Sequence, residues 1–528
     1  MSRETPSPPP TSAKPLNAAF VGGVAALSGV LFGFDASIAA SVGSAVNVHF
    51  GLTEQPFLQG LWVGAVPLGA LFGALFGGFV SSRFGRRNGL LFNATLFIVG
   101  IVLSFLSPSF TVYVFSRLLM GLAIGNSAVI TPMYMAEVAP PESRGRILFL
   151  YQLSIVIGIL VSFLVGVTVD ALIKDTDMSW RVMIACGLVP AALFFIGMLN
   201  MPRSPRWLVE QNRHDEARQI LHRMVGSKKA DETMKEIETA ASRKTDVGLS
   251  AIFGKTILPV IALGFFLQFF QQSTGINADM YFGPEIFREG GFSKTASMWA
   301  QVGMGLTNLI ATIASIFMVD KLGRRKLMFI GVSGIVVMLG VQSFLFHRYN
   351  NEVAAKAAIT QSSTSHIISD PSNQRHVLPN AGVSVAHESI ADARDVATDQ
   401  SQAVTHGTST TTYLIFGSIL LYIIFFAISA GPLCWLMISE VFPIKFRGIG
   451  MSIAVAANWL VDYFVSQLFP VMKDGLGMPT TCLIYAGFTL LGLALAVKFL
   501  PETKGVPLEE IEANIYAGKP LREIGQPK

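Results

Sequence analysis

The sequence predicts an all-α membrane protein with twelve transmembrane helices in two pseudo-symmetric six-helix bundles. Three observations carry that expectation. Of 528 residues 51% are hydrophobic and 14% charged, and the mean hydropathy is +0.53. The apolar residues fall in runs of about 20, the length a helix needs to cross a hydrocarbon layer about 30 Å thick. Short signatures in the first half of the chain return in the second. Composition alone excludes a disordered chain, a coiled coil and a nucleic-acid binder, none of which tolerates so much apolar surface.

The chain starts with a Pro/Ser-rich segment, residues 1–17, which has no basic stretch leading into a short apolar core; it reads as a disordered tail, not as a cleaved leader. Twelve apolar runs follow, at about 18–42, 57–80, 89–107, 110–135, 147–169, 181–201, 256–282, 297–319, 327–346, 412–438, 449–470 and 479–500. Alternate connections are basic, with Arg83, Arg86 and Arg87; Arg144 and Arg146; Arg203 and Arg206; Lys321, Arg324, Arg325 and Lys326; Lys445 and Arg447. The positive-inside rule assigns these loops and both termini to the cytoplasm of a multi-pass protein in the cell (plasma or inner) membrane. Residues 42–56 and 107–110 contain no Lys or Arg and belong outside. The formal charge of +5 therefore reports orientation, with no need of an anionic partner.

The repeat is visible in the connections. RFGRRNGLL at 83–91 returns as KLGRRKLMF 238 residues later, and AEVAPPESRGR at 136–146 returns as SEVFPIKFRGI after 303. The 65-residue difference matches a polar insert at 347–412, which has four basic and six acidic residues and no apolar run long enough to span. This divides the chain into a first six-helix bundle (18–201), a cytoplasmic linker with short helices (202–255), a second bundle (256–500) interrupted by the outside insert, and a cytoplasmic tail (501–528). Parallel six-helix repeats are one build of secondary transporters, with the substrate site near the midplane between the halves.

Five of the eight histidines (His347, His366, His376, His387 and His406) lie in the insert at irregular spacings, better read as solvated polarity than as metal capture. Cys186, Cys434 and Cys482 fall in apolar runs and read as small hydrophobes, so neither disulfide nor metal site is assigned. No nucleophile–base pair or cofactor loop is visible, and an enzyme is not expected.

An ordered set of motifs remains: RFGRR at 83–87, PMYMAEVAPPESRGR at 132–146, PRSPRWL at 202–208, QQSTGIN at 271–277, DKLGRR at 320–325, GPLCW at 431–435, SEVFPIKFRG at 439–448, NW at 458–459 and PETKG at 501–505. With these the chain resembles the sugar porter family of the major facilitator superfamily over almost its whole length. Within that family it resembles most the bacterial proton-coupled xylose symporter type, and also facilitative hexose carriers. The resemblance implies a symporter that moves a monosaccharide or a polyol such as a cyclitol with a proton by alternating access, working as a monomer without a cofactor. Its partners would be the sugar, the proton and the bilayer, with no nucleic acid. A facilitative uniporter on the same fold and a transporter-like nutrient receptor are the alternative readings; the receptor usually carries a long cytoplasmic tail, and here 23 residues follow PETKG.

Amides suit a sugar because they donate to and accept from hydroxyls without carrying charge, and aromatic faces cover the apolar side of the ring. The seventh span supplies Gln271, Gln272 and Asn277; on an unbroken helix Gln271 and Asn277 lie about 240° apart, whereas a break at Gly275 brings them together. The resemblance implies such a break and adds Gln152, Asn308, Trp435, Asn458 and Trp459 as substrate contacts. Phe282 and Ala430 depart from the family pattern, as do the acids Asp279 and Asp462, which stand at normally uncharged positions. Charge in mid-span costs about 2.5–3.5 kcal/mol on insertion scales, so Asp35 and Arg117 are expected to form a buried pair. The resemblance makes them the proton switch. Arg83, Arg87, Glu137, Arg144, Arg324, Glu440 and Arg447, at the basic helix ends, are expected to form a cytoplasmic gate.

Overall fold

A computed structural model of the chain describes residues 17–139, 144–242, 254–368, 409–443 and 445–526. The helices are α1 (Ala18–His49), α2 (Pro56–Phe84), α3 (Arg86–Phe105), α4 (Phe110–Val138), α5 (Arg144–Leu172), α6 (Thr176–Ala185), α7 (Leu188–Leu199), α8 (Pro205–Glu210), α9 (His214–Val225), α10 (Ser227–Ser242), α11 (Leu258–Ser273), α12 (Ile276–Glu289), α13 (Lys294–Leu322), α14 (Arg324–Ile368), α15 (Thr410–Ile428), α16 (Ala430–Val441), α17 (Arg447–Phe499) and α18 (Leu508–Tyr516). No strand occurs among the described residues.

Ten helical stretches are long and apolar enough to cross a bilayer. The pair α11–α12 makes one more crossing, broken at its centre. The 53-residue α17 contains two, because Gly477 (φ 77°, ψ 160°) interrupts it and a helix of that length is far longer than a bilayer is thick. The described residues thus supply the twelve expected crossings. Three of the runs are built from two pieces each, at α6–α7, α11–α12 and α15–α16.

Lipid gives no hydrophobic drive for helix association, so the crossings approach through small residues. A Cβ on Gly69 would lie 2.2 Å from the Leu118 carbonyl oxygen, and one on Gly125 1.9 Å from that of Ala70, so α2 and α4 touch backbone to backbone. Gly33 and Gly158 do the same for α1 and α5.

The halves meet toward the face opposite the termini. There a Cβ on Gly60 of α2 would lie 2.2 Å from the Gln467 carbonyl oxygen of α17, and Gln467 Nε2 donates to the Phe57 carbonyl at 2.7 Å. Lys294 of α13 pairs with Asp170 of α5 at 2.9 Å.

On the terminal face, α8–α10 build a small core of their own around Trp207, Leu208, Leu221 and Met234. It is tied to the first bundle by Trp207 Nε1, which donates to the Ser82 carbonyl at 2.9 Å. Ile511 and Ile515 of α18 are buried in the main core.

The chain departs from the sequence reading after the ninth crossing. α14 runs to Ile368, well into the segment expected to begin the insert at 347, and the next helix starts at Thr410. Glu352, on this extension, is held by Arg348 at 2.9 Å and by the Thr411 hydroxyl at 2.7 Å, which pins the extension to the head of α15. Residues 369–408 of the insert, with His376, His387 and His406, lie outside the described residues, as do residues 1–16 of the tail.

The backbone contact between α2 and α4 leaves no room for a methyl group. Gly125→Ala is expected to lower the thermal unfolding midpoint in detergent, because overpacking of this kind costs about 1–3 kcal/mol. Gly417→Ala, with nothing within 4 Å of the added carbon, is the matched control and should leave the midpoint in place.

Candidate functional site

Gly275 is the pivot of the site. Its backbone is left-handed (φ 86°), which suits glycine, and an added Cβ would lie 2.8 Å from the Tyr485 ring. The turn ends α11 at Ser273 and starts α12 at Ile276, so Asn277 returns over the end of α11 and its Nδ2 donates to Gln272 Oε1 at 2.9 Å. The break expected from Gly275 is present.

From there an amide network crosses to α17. Gln272 Nε2 donates to Asn458 Oδ1 at 3.1 Å, and Asn458 Nδ2 donates to Gln268 at 2.7 Å and to Gln271 at 2.6 Å. Gln271 Nε2 in turn donates to the carbonyls of Ala430 (3.2 Å) and Gly431 (2.8 Å), at the junction of α15 and α16. Four residues named from sequence, Gln271, Gln272, Asn277 and Asn458, are therefore joined in one network.

Gln268 completes it. It was not singled out from sequence, although its spacing of three from Gln271 puts both on one helix face. Trp459 is buried, its indole nitrogen has no partner among the described residues, and its ring lies 5.4 Å from that of Phe32 on α1 across the two halves. Gln152, Asn308 and Trp435 are half-buried and stay outside the amide network; the Thr312 hydroxyl donates to Asn308 at 3.5 Å.

In the first half, Arg117 Nη1 donates to Asp35 Oδ1 at 2.6 Å and Nη2 to the Asp35 carbonyl at 3.3 Å. Both side chains are buried, so the pair expected from sequence exists and ties α1 to α4. The remaining oxygen, Asp35 Oδ2, and Arg117 Nε have no partner among the described residues. Beside the amides, the Tyr281 hydroxyl donates to Asp462 Oδ2 at 3.1 Å.

The terminal face carries two copies of one arrangement. Arg86 holds Glu137 through Nη2 at 2.8 Å, and the Ser204 hydroxyl donates to the same carboxylate at 2.5 Å. Arg324 holds Glu440 at 3.0 Å, and the Thr503 hydroxyl donates to it at 2.5 Å. Ser204 and Thr503 reveal a third element of the repeat, PRS at 202–204 and PET at 501–503. Arg86, Ser204 and Thr503 are absent from the gate read from sequence.

The arginines named there act differently. Arg83 is exposed, Arg87 donates to the carbonyls of Met198 and Leu199, and Arg447 donates to the Phe442 carbonyl at 3.3 Å. The Arg144 side chain lies outside the described residues. Both carboxylate clusters close within one half, and neither the Arg86–Glu137 nor the Arg324–Glu440 pair joins one half to the other.

The family model for sugar (and other) transporters matches residues 21–363 and 396–515. The chain belongs to that family. Among its relatives, a galactose-proton symporter of Escherichia coli is 32% identical over 96% of each chain, and the major myo-inositol transporter IolT of Bacillus subtilis is 29% identical over 94% of this chain and 93% of its own. The partially occluded, inward-open structure of the xylose transporter XylE from E. coli superposes with a TM-score of 0.71 at 26% identity, covering 92% of this chain and all of that one. The twelve-crossing architecture is that of the major facilitator superfamily.

Truncating an amide leaves its partners unpaired in a buried site, at about 1–3 kcal/mol each. Gln272→Ala and Asn277→Ala should therefore weaken substrate binding roughly tenfold or more, by equilibrium binding to purified protein, with expression unchanged. Wild-type affinity in both variants would show that the amides only hold helices together.

Proposed function

We propose that the chain is a proton-coupled symporter for an uncharged monosaccharide or cyclitol, working by alternating access with both termini in the cytoplasm. The observation that carries this reading is the buried Asp35–Arg117 pair, set in the same molecule as an amide network built on a broken helix. Relatives named as galactose-proton and arabinose-proton symporters, similar over nearly the full length, support proton coupling and the sugar class. The inositol transporter among them supports extending that class to cyclitols.

The amides hydrogen-bond one another in the structure, and an entering polyol would replace those bonds with its hydroxyls. Each exchange is nearly neutral in energy, so binding is reversible enough for turnover. Charged substrates fit this chemistry poorly, because amides offer no counter-charge. The halves meet at the face opposite the termini, while the carboxylate clusters of the terminal face close within each half, which accords with an inward-facing state. Opening outward would part Asp170 from Lys294 and Gly60 from α17.

Ionised Asp35 holds Arg117, and a proton on Asp35 removes the charge that keeps it there. If Arg117, once released, favours the sugar-competent arrangement, proton and sugar bind cooperatively and each tightens the other by linkage.

The test uses proteoliposomes with labelled D-galactose, D-xylose, L-arabinose and myo-inositol. Wild-type protein should accumulate at least one of them under an imposed inward proton gradient. Asp35→Asn should still exchange substrate in counterflow, yet fail to accumulate it. Arg117→Leu should impair both, because it leaves Asp35 buried without a partner. Accumulation by Asp35→Asn at the wild-type level would exclude Asp35 as the coupling acid, and wild-type protein that carries none of the four would sink the sugar reading.

A further inference from the structure

The seventh crossing is interrupted a second time, beyond the turn at Gly275. Within α12, Phe282 has non-helical backbone angles (φ −119°, ψ 15°), and Pro284 stands two residues on. Proline has no N–H, so the carbonyl four residues before it, that of Met280, loses its donor within the helix. A side chain from the next helix supplies one. Gln301 of α13 is buried, and its Nε2 donates to the Met280 carbonyl at 3.1 Å. Its Oε1 has no partner among the described residues, so the Met280 bond alone orients the amide. The amide lies against Gly283, where an added Cβ would stand 1.8 Å from Gln301 Oε1. A glycine at the bend therefore admits it, and a larger residue would push it away.

The bend directs the rest of α12 toward the other half. Glu285 Oε1 lies 3.8 Å from where a Cβ on Gly43 of α1 would stand, with the Trp62 ring of α2 at 3.9 Å, and Gly43 is buried there. The Phe282 ring meets that of Phe469 on α17 at 5.0 Å. α13 is also docked on the first half, through the Lys294–Asp170 pair at 2.9 Å and through Gly305, whose added Cβ would lie 2.9 Å from the Phe163 ring of α5. Gln301 sits between these two contacts in sequence and bonds α12 at its bend.

A helix that lacks its own hydrogen bond at one point swings most easily there. A buried carbonyl left without a donor costs about as much as a lost hydrogen bond, so the form in which Gln301 reaches Met280 is favoured over forms in which it does not. That form is the one in which the outer segment of α12 covers Gly43.

We propose that Gln301 is the positioning residue of outer closure: by holding the Met280 carbonyl it fixes the bend of α12 and keeps the segment beyond it on α1 while α13 is docked on α5. This deepens the proposed alternating access and rests on it. Loss of the amide frees the outer segment of α12 to leave α1, which uncovers Gly43.

The experiment uses Gly43→Cys as a reporter, since a Cβ at that position makes only ordinary contacts. Of the native cysteines, Cys434 and Cys482 are buried and Cys186 is half-buried, and protein without the reporter gives the blank. The rate of reaction with a membrane-impermeant maleimide applied to intact cells measures exposure of Gly43→Cys from the face opposite the termini. Gln301→Leu and Gly283→Ala should each raise that rate about fivefold or more, the first by removing the amide and the second by displacing it. Pro284→Ala restores an N–H that can take the Met280 carbonyl, so adding Gln301→Leu to it should change the rate less than about twofold. A wild-type rate in Gln301→Leu, with the reporter reactive in the wild type, would overturn the role of Gln301 and leave alternating access standing. If Gln301→Leu does not reach the membrane, Gly283→Ala decides, and a wild-type rate there overturns the proposal. An equal rise with and without Pro284 would also overturn it, by making Gln301 a matter of packing. A reporter that stays unreactive in every background, wild type included, would bring down alternating access itself.

Discussion

A charge buried at bilayer depth has no water to answer it, and Asp35 and Arg117 meet that constraint by answering each other. The rest of the first bundle accommodates their contact. α4, which carries Arg117 to α1, lies against α2 without side chains between them, through Gly69, Gly73, Gly121 and Gly125. α1 in turn lies against α5 through Gly33 and Gly158. Removal of one partner would leave an isolated charge, which makes the pair stable as a pair and sensitive to a proton.

The second bundle solves a different problem. It holds uncharged polar groups in the membrane by letting them hydrogen-bond one another, and the break at Gly275 makes the set compact. A continuous helix would turn Asn277 away from Gln271; the left-handed turn brings it to Gln272 and so to Asn458. The same turn puts Tyr281 beside Asp462. One bundle therefore carries the ion pair and the other the amides, and motion of one half against the other changes both environments at once.

The fold was legible because hydrophobic length and the loop signatures are local properties of the sequence. The repeats at RFGRR and KLGRR, and at AEV and SEV, marked the two halves without knowledge of packing. The broken seventh crossing was legible too, since Gly275 stands between polar residues that an unbroken helix would separate. Partner choice was less legible. Arg86, rather than its neighbours Arg83 and Arg87, meets Glu137, because the first residue of α3 points back at the end of α4 while Arg83 faces outward; adjacent arginines in a motif do not reveal which of them turns inward. The extension of α14 beyond 347 was missed because the polar residues there have no hydrophobic periodicity, and contacts with the head of α15 hold them.

Central to the account is that substrate and proton bind to one conformation together. The most direct measurement is calorimetric titration of purified wild-type protein with its best substrate near neutral pH, in two buffers of different ionisation enthalpy. The difference in apparent heat counts the protons exchanged with solvent on binding. The account predicts net proton uptake on sugar binding, up to one per sugar and growing as the pH is raised. Binding with the same heat in both buffers across that range would contradict it.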